Sequence, residues 1–362
     1  MIVWAYAALA VTAFALSALA TPLTRRLAMK LGMIDLPQRH KAHAQPTPLL
    51  GGSAIFFAIL MPSLLGLALA RVWAGNPPAW LGESVARHLP GAAAKTPQAL
   101  GILGGAMILH ALGLLDDRRN LGPWSKLAVQ LLVATGTVLL LDVRVLTAAG
   151  PTTSAILTVL WITAITNSFN FLDNMDGLCA GVAAIVAAAL LGASAGMGQL
   201  FVSAWLCLIL GASLGYLPYN FAPASTFMGD GGSLVLGYLL AVVSCLTTYV
   251  PAGAGTYAYG AMIPLVVMAV PLYDTFSVMW LRVRERRNPM VGDRRHFSHR
   301  LLRRGMSVRT AALTIYLCTA GTAVAASLLP HVANATGAAM VGAQTLVIVG
   351  IIALLEWGDR RP

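Results

Sequence analysis

Long uninterrupted apolar runs constrain this chain more than any other feature, because about 20 helical residues are what it takes to cross roughly 30 Å of hydrocarbon. Such runs recur at 2–23, 51–71, 98–115, 127–142, 153–171, 177–196, 199–219, 233–250, 258–281, 309–329 and 335–355. Lipid offers no partners to exposed backbone amides, so runs of this kind predict helices. The run at 127–142 is short, and the one at 177–196 is rich in Ala and Gly with little Leu. The expectation is an all-α polytopic membrane protein with about eleven transmembrane helices, one integral-membrane domain over 1–362. A content of 58% hydrophobic and 10% charged residues excludes an ordinary soluble domain.

Cytoplasmic loops near span ends carry the excess of Lys and Arg, which gives a test of this count. With the N-terminus outside, the inner segments hold Arg25, Arg26, Lys30, Arg39, Lys41, Arg118, Arg119, Lys126, ten arginines from Arg282 to Arg309, Arg360 and Arg361. The outer loops keep Arg71, Arg87, Lys95 and Arg144 of the 24 basic residues. Adding or losing one span would scramble that split, so the C-terminus is expected in the cytoplasm. Topology thereby accounts for most of the net charge of +11, and nucleic-acid binding is not expected. MIVWAYAA lacks a basic leader and Arg25 and Arg26 follow the apolar run, so the first segment reads as a retained helix. Cys179, Cys207, Cys245 and Cys318 lie far apart inside spans, as small core residues do.

Of the thirteen acidic residues only Glu83 and Asp142 fall in outer loops, which places any chemistry at the inner face. Four inner segments are rich in groups that act on anions or cations. In GLLDDRRNLGPWSK, Asp116 and Asp117 end one span and Lys126 opens the next; neighbours on a helix point about 100° apart, so the two carboxylates have separate duties. In NSFNFLDNMDG, Asn167, Asn170, Asp173 and Asp176 recur every three residues, which on a helix draws one polar ridge, drifting slowly round the axis and suited to a hard cation; alternatively Asp173 or Asn174 caps the following helix. In FMGDGGS, Gly229, Gly231 and Gly232 flank Asp230 at a helix start, a setting that favours phosphate, although no Walker A pattern is present. The loop from Arg282 to Arg309 adds His296 and His299 beside Arg300, suited either to anionic lipid or to a pyrophosphate. Deeper in the spans, Asp274 reads as the buried partner of an inner-loop base, and His110 as a satisfied packing residue.

Taken in order, DLPQRHKAHAQPTPLLGG, GLLDDRRNLGPWSK, NSFNFLDNMDGL, FMGDGGS and RRHFSHRLL resemble the motifs of the polyprenyl-phosphate N-acetylhexosamine-1-phosphate transferases, over about 35–305. The resemblance implies bacterial inner-membrane enzymes that pass a sugar-1-phosphate from a UDP-N-acetylhexosamine to undecaprenyl or another polyprenyl phosphate, with Mg²⁺ or alternatively Mn²⁺, releasing UMP and starting a lipid-linked envelope glycan. By position it implies Asp116 as the base for the lipid phosphate, supported by Asp117. Asn170 and Asp230 become metal ligands with Asp173 beside them. Asp176 and Phe227 become uridine contacts; Lys126 and Arg300 bind pyrophosphate, and Lys41, His43, His296 and His299 complete a basic wall. A homodimer is compatible with it.

HFSHRLL and PLYDT resemble the branch that uses UDP-N-acetylglucosamine, with phospho-MurNAc-pentapeptide transfer as the runner-up. Two departures from the pattern stand out: Arg39 falls one place early, leaving His40 in its slot, and Ser298 replaces a histidine. A transporter or lipid scramblase, the alternative of another class, would set its polar groups near mid-membrane and show two similar halves, and neither is apparent.

Overall fold

The computed structural model describes residues 2–36, 46–249, 259–286, 296–332 and 334–357. Its helices in chain order are α1 (Ile2–Leu31), α2 (Gly51–Trp73), the short α3 (Glu83–Ala86) and α4 (Leu89–Ala94), α5 (Thr96–Arg119) and α6 (Pro123–Leu141). They continue with α7 (Pro151–Leu172), α8 (Leu178–Gly196), α9 (Leu200–Asn220), α10 (Asp230–Leu246), α11 (Ile263–Val267), α12 (Ala269–Arg284), α13 (Phe297–Arg303), α14 (Val308–Leu328) and α15 (Ala335–Trp357). Among the described residues nine helices are long and apolar enough to cross a membrane, or ten if one bent pair is a single span.

Both of the weakest apolar runs form such helices, α6 and α8. The bent pair is the expected run at 258–281, which breaks by 60°. Pro271 lacks the N–H that would bond Val267, and its ring crowds that carbonyl, so the helix restarts at Ala269. The expected run at 233–250 becomes α10, whose 17 residues rise about 26 Å, short of the hydrocarbon thickness. α10 is apolar on every side and its residues 231–244 are buried, because α2, α5, α7, α8 and α9 surround it. It is the axis of the bundle, and its first residue is Asp230.

The ends of the other helices gather around that start. Asn120, in the left-handed conformation, stops α5, and Pro123 at the first turn of α6 restarts the chain. A two-residue antiparallel pair joins β1 (Ile34–Asp35) to β2 (Thr47–Pro48). On its other side, Phe227 N–H donates to Pro48 O at 2.8 Å and Gly51 N–H to Phe227 O at 2.9 Å. The flanks of the first inner loop are therefore laced to the FMGD segment.

Candidate active site

Asp116 and Asp117 part company as their 100° separation requires. Asp116 Oδ1 accepts from Leu121 N–H at 2.7 Å, which closes the turn between α5 and α6, and its Oδ2 meets Lys126 Nζ at 2.8 Å. The same ammonium reaches Asp230 Oδ2 at 2.8 Å. Asp230 Oδ1 in turn accepts from Asn170 Nδ2 at 2.8 Å, and that amide also donates to Ser233 Oγ at 3.0 Å. Three segments more than forty residues apart in sequence thus converge on one polar chain at the end of the bundle.

Asp117 does something different. Its Oδ1 accepts from Asp230 N–H at 3.0 Å, and Gly231 N–H lies 3.5 Å from its Oδ2. The helix start expected to favour phosphate is thus met by this carboxylate, for the reason a phosphate would be: the first amides of a helix have no internal partner. The glycines of FMGDGG serve packing here more than ligand approach. A Cβ on Gly232 would lie 2.3 Å from Met228 Cγ and 2.5 Å from Gly52 Cα, and one on Gly113 would lie 2.3 Å from the Asp230 carbonyl carbon. α2, α5 and α10 touch backbone to backbone at this point.

The expected polar ridge is split. Each step of three residues turns 60° back around the axis, and α7 ends at Leu172. Asn167 Nδ2 bonds Gln130 on α6, whereas Asn170 looks to α10. Asp173 lies past the helix end and accepts from the Gly229 amide; burial and the Asp230 and Asp117 carboxylates push it well above the usual carboxylate range. Asp176 Oδ2 accepts from Ala224 N–H at 2.9 Å. Neither Asp173 nor Asn174 caps α8: its N-cap is Gly177, whose N–H goes to Asn220 Oδ1 at 3.0 Å. Asn220 Nδ2 and Tyr216 Oη both donate to Thr226 O, so the turn carrying Asp176 and the segment carrying Phe227 share one anchor. The Phe227 side chain is half-buried.

The histidine helix α13 is turned toward its own scaffold. His296 Nδ1 donates to Asp274 Oδ2 at 2.9 Å, and Phe297 N–H to Asp274 Oδ1 at 2.7 Å. Asp274 is therefore the buried partner of an inner-loop base, His296. Arg300 Nη2 donates to Ser277 Oγ at 3.0 Å, and both His296 and Arg300 are buried. Ser298, where the family pattern has histidine, donates to Asn174 Oδ1. The His296 and Phe171 rings pack at an angle of 63° with their centroids 5.6 Å apart, so the start of α13 sits against the end of α7 near Asp173. His299 is half-buried on the same helix. Lys41, His43, Arg39 and His40 lie outside the described residues. His110 is satisfied as expected, by Gly231 O at 2.7 Å and Ser53 Oγ at 3.3 Å.

Every acidic or amide side chain in the converged group offers oxygen, the donor a hard divalent cation prefers. Among the described residues, no three or more His, Cys, Asp or Glu are grouped as a ready cation site; the Lys126 ammonium lies between two of the carboxylates. Ser233 was not singled out from the sequence, although it stands one helical turn after Asp230, where a side chain shares its face.

A bundle of apolar helices with carboxylates, amides and a lysine collected at one end defines a polytopic membrane protein with a polar site at the end of its central helix. The model of glycosyl transferase family 4 matches residues 99–248, which include Asp116, Lys126, Asn170 and Asp230. The chain is 33% identical over 380 residues to the decaprenyl-phosphate N-acetylglucosaminephosphotransferase of Mycobacterium tuberculosis, covering 96% of this chain and 89% of that one. It is also 33% identical over 335 residues to the protein of that name in Mycolicibacterium smegmatis, at 84% and 77% coverage. The undecaprenyl-phosphate α-N-acetylglucosaminyl 1-phosphate transferase of Escherichia coli is 26% identical over 317 residues, at 82% and 76%. The chain belongs to glycosyl transferase family 4.

Proposed function

We propose that this chain transfers N-acetylglucosamine-1-phosphate from UDP-N-acetylglucosamine to a polyprenyl phosphate at the cytoplasmic face of the bacterial inner membrane. A lipid-phosphate oxygen attacks the β-phosphorus, the bond from that phosphorus to the bridging oxygen breaks, and UMP leaves. The relatives' names supply the substrates, and the observation that carries the reading is the chain Asp116–Lys126–Asp230–Asn170. The basic-residue split supports an N-terminus outside and the site inside.

In this reading Asp116 keeps the lipid phosphate deprotonated, while Asp117 holds the start of α10 and so the direction of Asp230. Lys126 is the cation that meets the pyrophosphate. Asn170 and Asp230 would hold Mg²⁺, with Asp173 beside them, and the bound ion supplies charge neutralisation at the diphosphate. Asp176 and Phe227 border the uridine. His299 stands toward the phosphates, and His296 and Arg300 set the position of α13.

The test is UMP release by the purified chain given undecaprenyl phosphate, Mg²⁺ and a panel of UDP-sugars. Release with UDP-N-acetylglucosamine is expected. Release only with UDP-MurNAc-pentapeptide would move the chain to the peptidoglycan branch, and none with any UDP-sugar would favour transport.

A further inference from the structure

The end of the bundle far from the carboxylates holds an apolar cavity of about 420 Å³ between α1, α2 and α9, roofed by α3 and α4. Ala99 lines it, and Asp116 follows 17 residues later on the same helix, so the two sites stand about 25 Å apart. A second cleft continues it between α1, α8 and α9, sharing Ile2, Tyr6, His88 and Leu200 and adding Arg87. The cavity is partly open at the side of the bundle and its lining is almost wholly apolar, so water gains few partners there. In a bilayer the apolar material at hand is a lipid chain.

The charge at its mouth says which lipid. At the mouth, Arg87 Nε donates to His88 Nε2 at 3.1 Å, and Lys95 stands 6.0 Å over the ring of Phe201, which lines the cavity. Glu83 is the one acidic residue of this connection, so Arg87 and Lys95 leave the rim cationic.

We propose that this cavity is a structural site for one anionic phospholipid, with a chain between α1, α2 and α9 and the phosphate at Arg87. The substrate lipid is a different molecule, since its phosphate must reach the carboxylate end. Only this distinction from the substrate lipid rests on the proposed reaction.

The full chain is reconstituted in nanodiscs of equal phosphatidylglycerol and phosphatidylcholine and released for native mass spectrometry. About one phosphatidylglycerol per chain should be retained, favoured about tenfold over phosphatidylcholine, as expected for one or two rim charges. A Cβ on Gly66 meets nothing within 4 Å, so Gly66→Phe should fold and fill the void, abolishing retention. Arg87→Gln, which leaves the cavity alone, should keep a bound lipid and lose the preference. Equal retention of both lipids by the unaltered chain, undiminished retention by Gly66→Phe, or displacement of phosphatidylglycerol by added undecaprenyl phosphate would each overturn the proposal.

Discussion

The carboxylate end of α5 and α10 and the histidine helix α13 look alike as sequence, each a short inner segment dense in ionisable groups. In the folded chain they are opposites. Asp116, Lys126, Asp230 and Asn170 bond one another across four helices, whereas His296 and Arg300 are buried against α12 through Asp274 and Ser277. Polar density alone does not separate groups that bond one another across the bundle from groups bonded to one neighbouring helix. The separation lies in whether the partners come from elements that only the fold brings together, or from a neighbour that must be held in place.

If that contrast is right, the carboxylate end should answer to mutation mainly in turnover. Asp116→Asn and Asp230→Asn should each lower UMP release by roughly 10³-fold, the range for losing a positioned acid–base or charge-stabilising group. The thermal midpoint should change little, because an amide keeps the size and an acceptor. Normal turnover in either variant would remove the residue from the reaction. Lys126→Met comes next: it leaves two partly buried carboxylates facing each other, so turnover should fall roughly 10²-fold. Its thermal midpoint without divalent ions should also drop and then recover when Mg²⁺ is added. A midpoint insensitive to Mg²⁺ would argue against a cation among those oxygens.

Much of this was legible before folding, and the reason is periodicity. Apolar length marked each bundle helix, and the 100° step between Asp116 and Asp117 anticipated their different partners. The ridge over Asn167, Asn170, Asp173 and Asp176 is helical only as far as Asn170, because spacing says nothing about where a helix stops, and α7 stops at Leu172. The glycine turn before α10 read as a phosphate cradle because glycine density signals close approach without naming what approaches. Here it is Asp117 and the backbones of α2 and α5. Asp274 was legible as a buried partner for a base, but its choice of His296 depends on the turn of α12 after the break at Met268.

The histidine helix should answer in stability first. Asp274→Ala strands the His296 imidazole and the Phe297 amide in a buried pocket, and losing an acceptor there costs about 2–3 kcal/mol. Asp274 is 1% exposed, so water cannot replace it. Turnover at saturating substrates should fall only about tenfold, through displacement of α13 and not through loss of a reacting group. A variant with an unchanged midpoint and turnover as low as that of Asp116→Asn would erase the distinction between the two regions.

The smallest expected effect sharpens the contrast most, because it falls where the two regions touch. Ser298 donates to Asn174, one residue past Asp173, and this bond is a direct polar link from α13 to the turn that carries Asp173 and Asp176. Ser298→Ala removes one partly buried hydrogen bond and should cost about 1 kcal/mol. If the turn depends on α13 for its position, the KM for UDP-N-acetylglucosamine should rise a few-fold while that for undecaprenyl phosphate stays put. The nucleotide side of the site borders Asp176, and Asp116 stands on another helix. Equal rises in both constants would mean that α13 supports the bundle as a whole, and the link to the turn would then be packing alone.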